Sequence, residues 1–258
     1  MPGMADIEGS GAHGGRPVRL EDRRIATADG AVEAFVVGPS ARSAWAGILF
    51  LHWLGEQRSD RSQFLSEART FAEAGVRSVL PAGNLPWGPD PVDADTDVAN
   101  IELEQVRLGA ALDALAAGLP KGAPLALVGH DFGAMHGLLL AARRPVFKAV
   151  VLIAATPRWG DWFLRFWKVE GDRFDYLRRL ASLDPIEAAR SLRAAVLWQF
   201  SSRDYYIAPM SAVELAGAAP RADGTAPRIE WYAADHAMRS ANARAARLRF
   251  LRETLGLD

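Results

Sequence analysis

Apolar residues recur along this chain with two different periods. Near-continuous apolar runs stand at 46–53 ("AGILFLHW"), 76–82 ("VRSVLPA"), 124–130 ("PLALVGH"), 148–155 ("KAVVLIAA"), 194–201 ("AAVLWQFS") and 228–234 ("RIEWYAA"). Runs of that length and density suit parallel strands covered on both faces. Upstream, "VRLEDRRIA" and "AVEAFVVG" flank the turn "TADG" and predict a hairpin. Between the runs the spacing becomes helical. The segment 61–75 lines up Phe64, Leu65, Ala68, Phe71 and Ala72 on one stripe and stops at Gly75. Segment 97–118 does the same, with Asp97 as its N-cap candidate; 132–143 and the C-terminal 238–256 complete the set.

Strands alternating with helices predict an α/β fold with a mainly parallel, eight-stranded sheet and helices on both faces. One domain is expected over 18–258, preceded by a flexible leader at 1–17. Two irregular stretches stand out. Proline and glycine crowd 81–93, a loop leaving the C-terminal end of a strand, where open α/β sheets bind ligands. Residues 156–184 form an insertion with three tryptophans, three phenylalanines and a tyrosine. It predicts short amphipathic helices, read either as packing on the sheet or as a small lid that walls a pocket.

Composition narrows the partners. A formal net charge of -1 gives no basic field for nucleic acid, and no window is apolar enough for a membrane span. A small-molecule substrate, neutral and partly apolar, is the expected partner. The chain has no cysteine, which removes disulfides, thiolate nucleophiles and zinc-thiolate sites. The histidines do not have metal-ligand spacing, so no metal and no cofactor is expected. The opening residues lack a signal-peptide core, which makes a cytoplasmic location the expectation.

The chemistry centres on "LALVGHDFGAM" (125–135), where a strand, a sharp turn and a helix meet at Asp131. That context suits a nucleophile elbow, with Gly129 and Gly133 permitting close backbone approach. Asp204 and His236 follow later strands, in the order nucleophile, acid, histidine. Taken singly, Asp204 reads equally as a helix cap and His236 as a surface histidine. Asp131 itself reads equally as an inert fold element, because aspartate tolerates unusual backbone angles. Three matches on three strand ends are more specific than any one of them. His130 and His136 read as packed neighbours of the elbow, and the arginines from Arg239 to Arg252 as a solvated helix face.

Over roughly 18–255 the chain resembles the α/β-hydrolase superfamily. Its later half, "LDPIEAARSLRAAVLWQFSSRDYYIAP" with "WYAADHAM", is similar to dienelactone hydrolases. The elbow "GHDFG" is instead similar to that of epoxide hydrolases and haloalkane dehalogenases, whose nucleophile is an aspartate. The resemblance implies Asp131 as nucleophile, His236 as base and Asp204 as its orienting acid. "LHWLGE" (51–56) stands where the oxyanion loop of the superfamily lies, with Trp53 in place of the usual glycine.

An aspartate with a reference pKa of about 3.9 is already anionic at neutral pH, so Asp131 needs no base in order to attack. Attack on an acyl carbon would give a reactive anhydride, whereas attack on saturated carbon gives an ordinary ester. The expected reaction is therefore displacement at sp3 carbon, with halide or a strained ring oxygen leaving. A water activated by His236 then hydrolyses the Asp131 ester, with backbone N–H groups of Phe132 and of Trp53 or Leu54 as the oxyanion hole. Two alternatives stay open. One is a dienelactone-hydrolase-like esterase or lactonase with Asp131 acting as base toward water; the other is a silent, ligand-binding member. Pocket candidates are Trp53, Trp87, Trp159 and Trp162 as indole donors, and Tyr176, Tyr205 and Tyr206 as phenol donors. His52 is placed beside them, orienting its own loop through the backbone.

Overall fold

The computed structural model describes residues 17–41, 43–54, 60–83, 90–220 and 227–257. The leader, Trp87 and the end of the 51–56 loop lie outside the described residues. The eight strands are β1 (Val18–Thr27), β2 (Gly30–Pro39), β3 (Ala46–Leu51), β4 (Val76–Pro81), β5 (Leu125–His130), β6 (Phe147–Ile153), β7 (Ala195–Ser201) and β8 (Arg228–Tyr232). They form one sheet in the order β1-β2-β4-β3-β5-β6-β7-β8. The β1–β2 hairpin and the β2–β4 pair are antiparallel, and every later pair is parallel. Each apolar run of the sequence is one of these strands. The central ones are buried on both faces, as β3 and β5 are at every position.

Helices α1 (Leu65–Glu73), α2 (Ala94–Ala117), α3 (Phe132–Arg143), α7 (Pro209–Ala218) and α8 (Ala241–Leu255) cover the sheet. Helix α2 begins four residues earlier than an Asp97 cap would place it. Asp93, not Asp97, is its N-cap, accepting from the Thr96 N–H at 2.9 Å. Asp97 lies inside the first turn and is fully buried. Arg247 of α8 is also unlike its neighbours on that face. It is buried and grips Glu67 of α1 through two guanidinium nitrogens, so the last helix is tied to α1 by charge as well as to the sheet by apolar packing.

The insertion after β6 forms α4 (Gly160–Phe166), α5 (Arg173–Leu180), a 3-10 turn (Ala181–Leu183) and α6 (Pro185–Ala189). Its aromatic residues divide between two tasks. Trp159 and Phe163 are buried against Phe132 of α3 and belong to the core, while Trp162, Phe166 and Trp167 turn toward the sheet's C-terminal edge. At the far end the Tyr176 hydroxyl donates to Asp97 Oδ2 at 2.5 Å, and Asp97 also accepts from the Val92 N–H at 3.2 Å. This pair binds α5 to the start of α2. No helix among the described residues is long and apolar enough to cross a membrane.

Candidate active site

Asp131 stands between the end of β5 and the start of α3 with φ 53° and ψ -120°. A non-glycine residue there carries on the order of 1–3 kcal/mol of strain, which the surrounding packing has to hold. The glycines on either side make the turn possible. A Cβ on Gly129 would lie 2.5 Å from the Gly133 carbonyl oxygen. One on Gly133 would lie 2.5 Å from the Leu51 carbonyl oxygen and closer still to that of His52. The strained turn lifts the carboxylate above the sheet's edge, where it is nevertheless only 3% exposed.

β7 delivers Asp204 and β8 delivers His236 to the same edge. The loops after these strands are tied by the Ser202 N–H, which donates to the Tyr232 carbonyl at 2.8 Å, and by the Ser201 hydroxyl, which donates to that of Ala234. Asp204 Oδ1 accepts the N–H groups of Tyr206 and Ile207 at 2.8 and 3.1 Å, which fixes the carboxylate. Its Oδ2 then meets His236 Nδ1 at 2.9 Å. The other imidazole nitrogen, Nε2, faces Asp131 Oδ1 at 3.6 Å. The three residues that the sequence singles out are therefore brought together. Burial of His236 opposes its charge, but the carboxylates of Asp131 and Asp204 outweigh that and push its pKa up to about 9. Below that pH the resting site holds an imidazolium between two carboxylates.

The candidate oxyanion loop is more restricted than the sequence suggests. The Leu54 N–H donates to Asp131 Oδ2 at 3.3 Å. The Trp53 N–H is not available for the same task, because it donates to Gln63 Oε1 at 2.9 Å. The Phe132 N–H is the first of α3, where no preceding helical turn supplies an acceptor. Leu54 and Phe132 are thus the donors left from the expected set, and Trp53 contributes its indole ring instead, stacked on His130 with centroids 5.1 Å apart.

A cavity of about 470 Å³ opens over Asp131 and His236. Trp53, Trp162, Tyr205 and Tyr206 line it, together with Phe166 and Trp167, which sequence reasoning missed although they lie in the aromatic insertion. Arg203, next to Asp204, and Arg239, close to His236, line it as well. Three expected pocket residues stand elsewhere. Trp159 is fully buried and donates its indole N–H to the Leu183 carbonyl at 2.7 Å. Tyr176 is occupied by Asp97. His52 packs beneath the loop, with Nδ1 2.7 Å from the Trp53 carbonyl and Nε2 accepting the Gly83 N–H at 2.9 Å. Among the described residues, no three histidine, aspartate or glutamate side chains group as metal ligands would.

No family model matches the chain, and no curated protein matches it. Solved structures do. A cold-adapted esterase from an Arctic intertidal metagenomic library is 16% identical, with a TM-score of 0.66 over 94% of this chain and 98% of that one. A candidate dienelactone hydrolase from Klebsiella pneumoniae subsp. pneumoniae is 20% identical, with a TM-score of 0.65 over 93% of this chain and 99% of that one. An acetyl xylan esterase from Paenibacillus sp. R4 is 14% identical, with a TM-score of 0.71 over 95% and 87%. At these identities the likeness is one of fold. With the sheet order and the position of Asp131 at the β5 turn, it shows that the chain has the α/β-hydrolase fold, with a body like that of the dienelactone hydrolase.

Proposed function

We propose that the protein is a hydrolase of esters or lactones acting at Asp131. The observation that carries this reading is the convergence of Asp131, His236 and Asp204 beneath one aromatic-walled cavity. The structurally similar esterases and dienelactone hydrolase support an ester or lactone more than the halide or epoxide expected from the elbow alone. Asp131 Oδ1 has no hydrogen-bond partner among the described residues and can take a proton from water, whose oxygen attacks the substrate carbonyl. The imidazolium of His236 faces the oxyanion that results. Collapse expels an alkoxide, which takes up the proton, so that ester and water give acid and alcohol. The rings of Trp162, Phe166 and Tyr206 suit a small, partly apolar substrate, and Arg203 and Arg239 suit a polar or anionic end on it.

The test is turnover of aryl acetates and small lactones by the wild type, Asp131→Ser and Asp131→Ala. Activity retained or raised in the serine variant and lost in the alanine variant supports the reading. No turnover of any ester or lactone by wild type or serine variant overturns it.

One observation favours a second reading, in which Asp131 attacks a saturated carbon. The Leu54 N–H is directed at the Asp131 carboxylate itself, the group that would carry the oxyanion when an Asp131 ester is hydrolysed. Alkylation of Asp131 also removes one of the two charges that raise the His236 pKa, freeing the imidazole to act as base in the second step. Here His236→Gln should accumulate the adduct, read as added mass on the intact protein. An unmodified mass after exposure to halides, epoxides and lactones counts against it.

A further inference from the structure

Gln63 lies just before α1, outside the triad, and has both ends of its amide engaged. Its Oε1 accepts the Trp53 N–H at 2.9 Å, and its Nε2 lies 2.7 Å from His130 Nδ1. The other nitrogen of His130 lies 2.9 Å from the carbonyl oxygen of His236. The donor and acceptor roles follow from the chain itself. The Trp53 N–H can only donate, so the amide oxygen accepts and the amide nitrogen donates; His130 Nδ1 must then accept, and Nε2–H donates to His236. Every member is satisfied in one direction only, and a chain with all its bonds made is a rigid one. It spans three separate segments: the oxyanion loop, the elbow and the loop that carries the base.

We propose that Gln63, acting through His130, is a positioning residue for the reaction. It holds the Trp53 N–H back so that Leu54 faces Asp131, and it fixes the main chain of His236 so that the imidazole stays between its two carboxylates. This rests on the reading of Asp131, His236 and Asp204 as the working site, but its first readout requires no substrate.

The experiment is an NMR titration of the His236 ring in the whole protein, wild type and Gln63→Met, alongside kcat and KM on whichever ester is turned over. The methionine variant should titrate at least about one pH unit below the midpoint measured for the wild type, since the imidazole is then held less well between its two carboxylates. Its kcat should fall on the order of 100-fold, with KM changed by less than about threefold. Gln63→Glu, which can accept from Trp53 through its carbonyl oxygen and, as the neutral acid that burial favours, donate to a neutral His130 Nδ1, should recover most of both. An unshifted His236 titration in folded Gln63→Met overturns the proposal, as does a glutamate variant no better than the methionine one. Should Gln63→Met not fold, Gln63→Ala, which leaves room for water, is judged by the same titration. Absence of ester turnover together with a shifted titration counts against the proposed substrate class and leaves the role of Gln63 standing.

Discussion

Nε2 of His236 faces Oδ1 of Asp131 across 3.6 Å, and neither atom is hydrogen-bonded elsewhere among the described residues. The two are close enough to share charge and too far apart to share a proton directly. A reacting atom can therefore be received between them. On the opposite side of the ring, the 2.9 Å contact with Asp204 sets the imidazole's orientation.

Because the pKa of folded His236 is raised from 6.5 to about 9, its charge stabilises the folded state. That contribution is fully present below pH 6.5, declines as pH rises toward 9 and is gone above it. A shift of this size corresponds to about 3 kcal/mol. Urea unfolding of the wild type should lose stability between pH 7 and 10, and Asp131→Asn should flatten that loss. Equal slopes for the two proteins would contradict the charge arrangement.

Asp204→Asn keeps the shape of the acid but presents the wrong hydrogen-bonding face to His236 Nδ1. In triads of this kind such a change costs on the order of 10⁴ in kcat. We expect a loss of at least about 1,000-fold on the protein's own substrate, together with a loss of about 1–2 kcal/mol of folding stability at neutral pH, because one of the two charges that hold the His236 imidazolium is gone. Steady-state kinetics beside a melting curve separate the two effects.

Tyr176→Phe removes the hydroxyl from Asp97, a buried carboxyl whose pKa burial already raises. Leaving that group short of a donor should cost about 2 kcal/mol of folding stability. Asp97→Asn combined with Tyr176→Phe should cost less than the two single changes added together. Chemical denaturation of the four proteins as a double-mutant cycle measures the coupling.

Gly133→Ala places a methyl against the main-chain carbonyl oxygens of Leu51 and His52. Backbone cannot give way as a side-chain tip can, so a loss of about 3 kcal/mol or more is expected. Alanine at Gly217, where nothing lies within 4 Å of the added carbon, is the control and should be neutral or mildly stabilising.

The sheet was legible because its central strands are buried on both faces and so carry almost nothing but apolar residues. β5 runs directly into Gly129 and the elbow, leaving little doubt where Asp131 falls. Asp204 and His236 could be found because each follows a strand closely. The pocket walls were harder to read. Trp159 and Trp162 lie three apart in one helical insertion, and their spacing does not say that one is satisfied by the Leu183 carbonyl while the other faces the cavity. Tyr176 is claimed by a carboxylate 79 positions away. The same holds for the bonds of Gln63 and His130, which exist only once distant loops have met.

The anchoring of Tyr176 to Asp97 bears on how molecules come and go. That end of the insertion is fastened to α2, so the wall it offers the cavity is held to the body of the fold by a buried hydrogen bond. Among the described residues, the cavity meets solvent along a rim that includes Tyr205, Phe166 and Arg239. The width of that aperture would set the largest molecule able to reach Asp131.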